Sequence, residues 1–124
     1  MTTIQPFIST PDLPRLRVFY EGMFGATELE RTPADGPPFF VVLTVGDSRL
    51  GLVSEADTRP GRDGQRTALS FAVDDVDALL PRVTELGGTV LAPPHDMPWG
   101  QRVGHVFDPD GNLVNLTAPV RGQA

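Results

Sequence analysis

The chain has 124 residues, ten basic against sixteen acidic side chains, a formal net charge of −6 and no cysteine. That length supports a single core, small enough for self-association to add useful burial. Without cysteine there is no disulfide framework, thiolate metal site or cysteine nucleophile, and the acidic balance argues against a nucleic-acid partner, which needs a basic stripe to displace counterions. No apolar run approaches the ~20 residues of a membrane span. The start, MTTIQPFIST, lacks the basic and apolar regions of a signal peptide. A cytoplasmic protein with no membrane partner is expected.

In chain order, Ile4 to Ser9 is strand-like, and Asp12 is placed to N-cap a helix. Its apolar positions Leu13, Leu16, Phe19, Tyr20 and Phe24 recur at threes and fours until Gly25 stops it. Leu29 to Arg31 predicts a short strand before the loop from Thr32 to Pro38. Phe39 to Val45 and Leu50 to Ser54 predict a hairpin around Gly46-Asp47-Ser48. The run Glu55 to Gln65, rich in charge, Gly and Pro, reads as a linker. Ala68 to Val73 is again strand-like, followed by a helix from Asp75 or Asp77 to Leu86 that Gly87-Gly88 closes. Pro81 is costly in a helix interior, by up to ~3 kcal/mol, so a kinked or partly 3₁₀ first turn is expected. Strands at Thr89 to Leu91, Gln101 to Phe107 and Leu113 to Thr117 complete the chain, with Ala92 to Gly100 as a loop.

A shift of about 63 residues lays the second half on the first. Asp12 falls on Asp75, Leu16 on Leu79, Met23 on Leu86 and Gly25 on Gly88. The order is βαβββ twice. Near the end stands Phe107-Asp-Pro-Asp-Gly-Asn-Leu-Val-Asn-Leu116, a turn in which Pro109 presets φ, Asp108 and Asp110 can bond backbone amides and Gly111 supplies positive φ. This turn, Pro98-Trp99-Gly100 before it and Phe19-Tyr20 in the first helix resemble the vicinal oxygen chelate superfamily of glyoxalases, extradiol dioxygenases, fosfomycin-resistance enzymes and bleomycin-resistance proteins. The resemblance covers nearly the whole chain. It implies an α+β fold, two βαβββ modules whose mixed strands curve around a cavity, with module 1 at about 1–54, the linker at 55–65 and module 2 at about 66–120.

In metal-dependent relatives the resemblance implies a ligand on the first and last strand of each module. Counting back from the helix starts puts these positions at Gln5 and Ala68. The last strands align Leu50-Gly-Leu52 with Val114-Asn-Leu116, which puts Gly51 and Asn115 where two glutamates would be. Two amides do not offset the desolvation of a dication. No metal and no other cofactor is expected.

The two histidines remain. His95, beside Asp96 in a Pro-rich loop, reads as solvent-facing. If the turn pairs Phe107 with Leu113, His105 lies opposite Asn115 on the cavity face. It is then a general base, a hydrogen-bond donor to a ligand or a wall residue, and a histidine ordinarily titrates near ~6.5. The same parity places Phe7 with Gln5 and Ser70 with Ala68. Pairing Thr44 with Gly51 brings Phe40, Val42 and Val53 to that face, and Gln101, Val103, Leu113 and Thr117 join His105. The expected ligand-binding set is Gln5, Phe7, Phe40, Thr44, Gly51, Ala68, Ser70, Trp99, Val103, His105 and Asn115. With Gly51 and Ala68 in place of ligands, the centre should be enlarged and dry, suited to a flat aromatic or cationic small molecule. The resemblance is nearest the bleomycin-resistance branch and implies a homodimer that sequesters a natural product. The alternatives are a glyoxalase-like lyase or isomerase using His105, and a regulatory partner with a vestigial cavity.

Overall fold

The computed structural model describes residues 4–57 and 67–120. The chain divides into two compact units, Met1–Pro60 and Gly61–Ala124. The first contains β1 (Phe7–Thr10), α1 (Leu13–Phe24), β2 (Thr27–Thr32), β3 (Phe40–Val45) and β4 (Ser48–Ser54). Its sheet runs β1-β4-β3-β2, with β1 parallel to β4 and the other neighbours antiparallel.

Local chemistry sets the limits of α1. The Asp12 carboxylate accepts the Arg15 N–H, and Pro14 sits in the first turn, where a missing donor is harmless. At the other end Gly25 takes φ 67 and its N–H reaches the Glu21 carbonyl. Leu13, Leu16, Phe19, Tyr20 and Met23 are buried from α1, and Val41, Leu43, Leu50 and Leu52 from the strands. These two sets form the core of the unit.

The second unit contains β5 (Leu69–Ala72), α2 (Val76–Glu85), β6 (Thr89–Val90), β7 (His95–Asp96), β8 (Gln101–Phe107) and β9 (Leu113–Pro119). The order is β5-β9-β8-β6, and β7 also pairs with β8. Val76 and Val83 of α2 are buried, as are Val106, Val114 and Leu116 of the strands. The helix lies so close to β8 that a Cβ on Gly104 would stand 2.8 Å from Val76 Cγ1. The acidic turn is tightly bonded: Asp108 Oδ1 accepts the N–H groups of Asp110 and Asn112, Oδ2 accepts from Asn112 Nδ2, and Gly111 has φ 86. The fold is therefore α+β, with one mixed sheet in each unit. Among the described residues no helix is long and apolar enough to cross a membrane.

Four expectations change. The segment Ala92 to Gly100 is not all loop, because His95 and Asp96 pair with Val103 and Arg102, so the second unit reads βαββββ. Pro81 lies inside α2, which stays α-helical from Val76 to Glu85 without a 3₁₀ turn. Burial of Val76 and Val83 on either side of Pro81 outweighs its local cost. β2 is longer than Leu29 to Arg31 and carries a bulge between Glu28 and Glu30. The hairpin turns on Gly46-Asp47, with Gly46 at φ 58, so Val45 faces Ser48 and Thr44 faces Arg49. Residues 58–66, most of the expected linker, lie outside the described set.

Candidate functional site

The internal repeat makes one row of each sheet equivalent. In the first unit Gly51 pairs with Phe7 on one side and Val42 on the other. In the second, Asn115 pairs with Ser70 and with His105. Partners directly opposite share a face, so each row presents its three residues together. One row is apolar and the other is polar.

The polar row is a continuous hydrogen-bonded chain. His105 Nδ1 lies 2.7 Å from Asn115 Oδ1, and Asn115 Nδ2 donates to Ser70 Oγ at 3.2 Å. His105 and Asn115 are half-buried and Ser70 is exposed. Among the described residues no hydrogen bond engages His105 Nε2. β8 and β9 are held in register by the Asp108 turn, which pairs Phe107 with Leu113 and so fixes His105 against Asn115. Val103 and Thr117 pair one row further along the same face, with Val103 buried.

The apolar row is covered by aromatic rings. Phe7 stacks on Phe40 with centroids 5.4 Å apart and planes inclined by 19°. Phe7 nevertheless remains 58% exposed. A Cβ at Gly51 would lie 2.7 Å from Phe7 Cδ1 and Cε1. The expected enlargement at Gly51 is thus corrected: the Phe7 ring fills the space that a side chain would take. Thr44 is also displaced from its expected place beside Gly51. The true partner of Gly51 is Val42, and the Thr44 hydroxyl lies 2.8 Å from that of Thr27. The face assignment of Thr44 survives, because the register slips by two residues and parity is kept.

The remaining expected residues sit at the ends of strands. Gln5 and Ala68 precede β1 and β5, and Ala68 is exposed. Trp99 is 68% exposed, and its Nε1 donates to Gln101 Oε1 at 2.9 Å. His95 was expected to be a solvent-facing loop residue. It is exposed, but it lies on β7 opposite Val103, and therefore on the His105 face. Arg102 anchors that edge: its Nε meets Asp77 Oδ2 at 2.6 Å and its Nη1 meets Asp96 Oδ1 at 2.9 Å. The hydrogen bond to Asp77, then that to Asp96, holds the guanidinium more firmly protonated than usual. The signal for β7 in the sequence was slight, a two-residue strand after two prolines, where no periodicity can be read.

These residues do not fit a divalent metal. Gly51 has no donor and is covered by Phe7, Ala68 has none, and the Asn115 amide is engaged at both atoms. Among the described residues no group of three His, Cys, Asp or Glu converges.

A sequence model described as the Glyoxalase/Bleomycin resistance protein/Dioxygenase superfamily matches residues 3–116. The chain belongs to this superfamily. The superfamily member described here is 30% identical over 127 residues to an uncharacterised protein of Mycobacterium bovis, covering 95% of this chain and 84% of that one. It is 34% identical over 113 residues to "Putative glyoxylase CFP32" of Mycobacterium tuberculosis, spanning 90% of this chain but 42% of that protein. Among solved structures, a family enzyme of Burkholderia phytofirmans superposes with a TM-score of 0.77 at 24% identity, covering 94% of this chain and 97% of that one. The fosfomycin resistance protein FosX of Listeria monocytogenes gives 0.76 at 18% identity, covering 98% and 95%. TioX of Micromonospora gives 0.73 at 25% identity, covering 99% and 100%.

Proposed function

We propose that this superfamily member binds a small, flat aromatic or cationic molecule without a metal and holds it intact, as a homodimer of the bleomycin-resistance type. The observation that carries the reading is the Ser70–Asn115–His105 chain. At the position where metal-dependent relatives are expected to present a carboxylate, the amide is committed to two neighbouring side chains. The Phe7–Phe40 stack, with Phe7 largely exposed, supplies an aromatic surface, and the net charge of −6 suits a cation. The similarity in fold to a fosfomycin resistance protein supports a resistance role. The test is a titration of the metal-analysed protein with aromatic and cationic antibiotics, read by Trp99 fluorescence and followed by mass spectrometry of the ligand. Saturable binding with the ligand recovered unchanged is expected. In such a titration His105→Ala should weaken binding roughly 2- to 12-fold, equivalent to one net hydrogen bond of about 0.5–1.5 kcal/mol.

A second reading has its own observation. His105 is oriented through Nδ1 while, among the described residues, nothing engages Nε2, the arrangement a general base requires. It describes a glyoxalase-like lyase or isomerase. Conversion of the ligand to a product, seen as a changed mass for a lyase or as a changed chromatographic and NMR signature at unchanged mass for an isomerase, and lost in His105→Ala, would favour it over sequestration.

A further inference from the structure

The Ser70–Asn115–His105 row has a direction. Asn115 Oδ1, which only accepts, faces His105 Nδ1, and Asn115 Nδ2, which only donates, faces Ser70 Oγ. A neutral imidazole carries one N–H, so placing it on Nδ1 leaves the Nε2 lone pair free. Ser70 Oγ, having accepted from the amide, retains its own O–H to donate. The row therefore ends in an acceptor on β8 and a donor on β5. These ends are two strand spacings apart, roughly 10 Å.

We infer that Asn115 and Ser70 are positioning residues that hold His105 in the Nδ1–H tautomer, and that the ligand is recognised through an O–H or N–H group donated to His105 Nε2. The tautomer follows from the two hydrogen bonds alone, whereas the recognition step rests on the small-molecule-binding reading. A ligand offering only an ether or carbonyl oxygen there sets acceptor against acceptor and leaves both unpaired. Phenols, alcohols and amines are the matching class.

The chain has two histidines, so a His95→Gln variant leaves His105 as the single imidazole in a long-range proton–nitrogen correlation spectrum. For the ligand-free, nitrogen-15-labelled protein at a pH where imidazoles are neutral, Nδ1 should be pyrrole-type and Nε2 pyridine-type. Asn115→Leu should shift the resonances toward the Nε2–H form, and Asn115→Asp, which keeps an acceptor, should restore the Nδ1–H form. An Nε2–H tautomer, or an averaged mixture, in the protein with Asn115 intact would overturn the positioning role whatever the ligand. Recognition is read separately with phenol and its methyl ether, anisole. Phenol should shift the Nε2 resonance at concentrations where anisole does not. Equal responses, or none to either, would overturn the ligand class while leaving the tautomer result standing.

Discussion

Gly51 and Gly104 are both strand glycines whose missing Cβ would meet a neighbour, and they differ in what can yield. At Gly104 the obstacle is Val76 Cγ1 at 2.8 Å, on a buried residue of α2, with Leu80 and Pro94 close behind. At Gly51 it is the ring of the exposed Phe7, which is free to swing away. Gly104→Ala should therefore cost roughly 1–3 kcal/mol in urea unfolding by overpacking. Gly51→Ala should cost less, about the 0.5–1.5 kcal/mol of the Phe7–Phe40 pair that it separates, in part regained by stiffening the unfolded chain. The same comparison bears on the metal question. Asn115→Glu alone is expected to give no tight zinc site in calorimetry, because Gly51 and Ala68 still offer no donor. Tight binding by that variant would show the ligand positions to be wrongly aligned. The opposition of His105 and Asn115 could be read directly, because the intervening turn is short and strongly marked by Asp108, Pro109 and Gly111. The cover of Phe7 over Gly51 could not, because it joins strands more than forty residues apart and depends on a rotamer.

At the scale of elements, side-chain forks tie helices and edge strands to the sheets. Glu28 of β2 accepts from Arg31 and from Arg17 of α1, each at 2.9 Å. The hydrogen bond from Arg31, then that from Arg17, lowers its carboxyl from 4.5 to about 2. A depressed folded-state value stabilises the protein fully above the unfolded value, and the benefit disappears as pH falls through the folded one. The stability difference between the natural chain and Glu28→Gln should thus be constant above pH 4.5 and shrink to nothing as pH falls to about 2. A difference that grows on acidification would contradict the pairing. The hairpin register differs by two residues from the expected one, although its signal is present in the sequence: a two-residue loop starting with glycine is a favoured hairpin turn, and Gly46-Asp47 is one. β7 is another matter. It is held by pairing to β8 and by the Arg102 fork between Asp77 and Asp96, contacts that local sequence does not encode.

At the scale of the whole molecule, two related modules have diverged at one equivalent row, Phe7–Gly51–Val42 in the first and Ser70–Asn115–His105 in the second. The first unit thus carries an apolar face at this row and the second a hydrogen-bonding one. The proposed homodimer would present each of these faces twice. Sedimentation equilibrium should give twice the chain mass of 13.4 kDa, and a monomer at working concentrations would remove the dimer from the proposal.

The sequence by itself determined the repeat, the caps of the first helix, the shared face of Phe40, Val42 and Thr44 and the pairing of His105 with Asn115. Each of these is set by periodicity or by a turn within a few residues. Only the tertiary structure decided that Phe7 fills the space at Gly51, that Ser70 completes the hydrogen-bonded row and that His95 shares its face. Those facts depend on which strands meet after long loops have closed, and loop closure is settled by burial over the whole unit rather than by any local pattern.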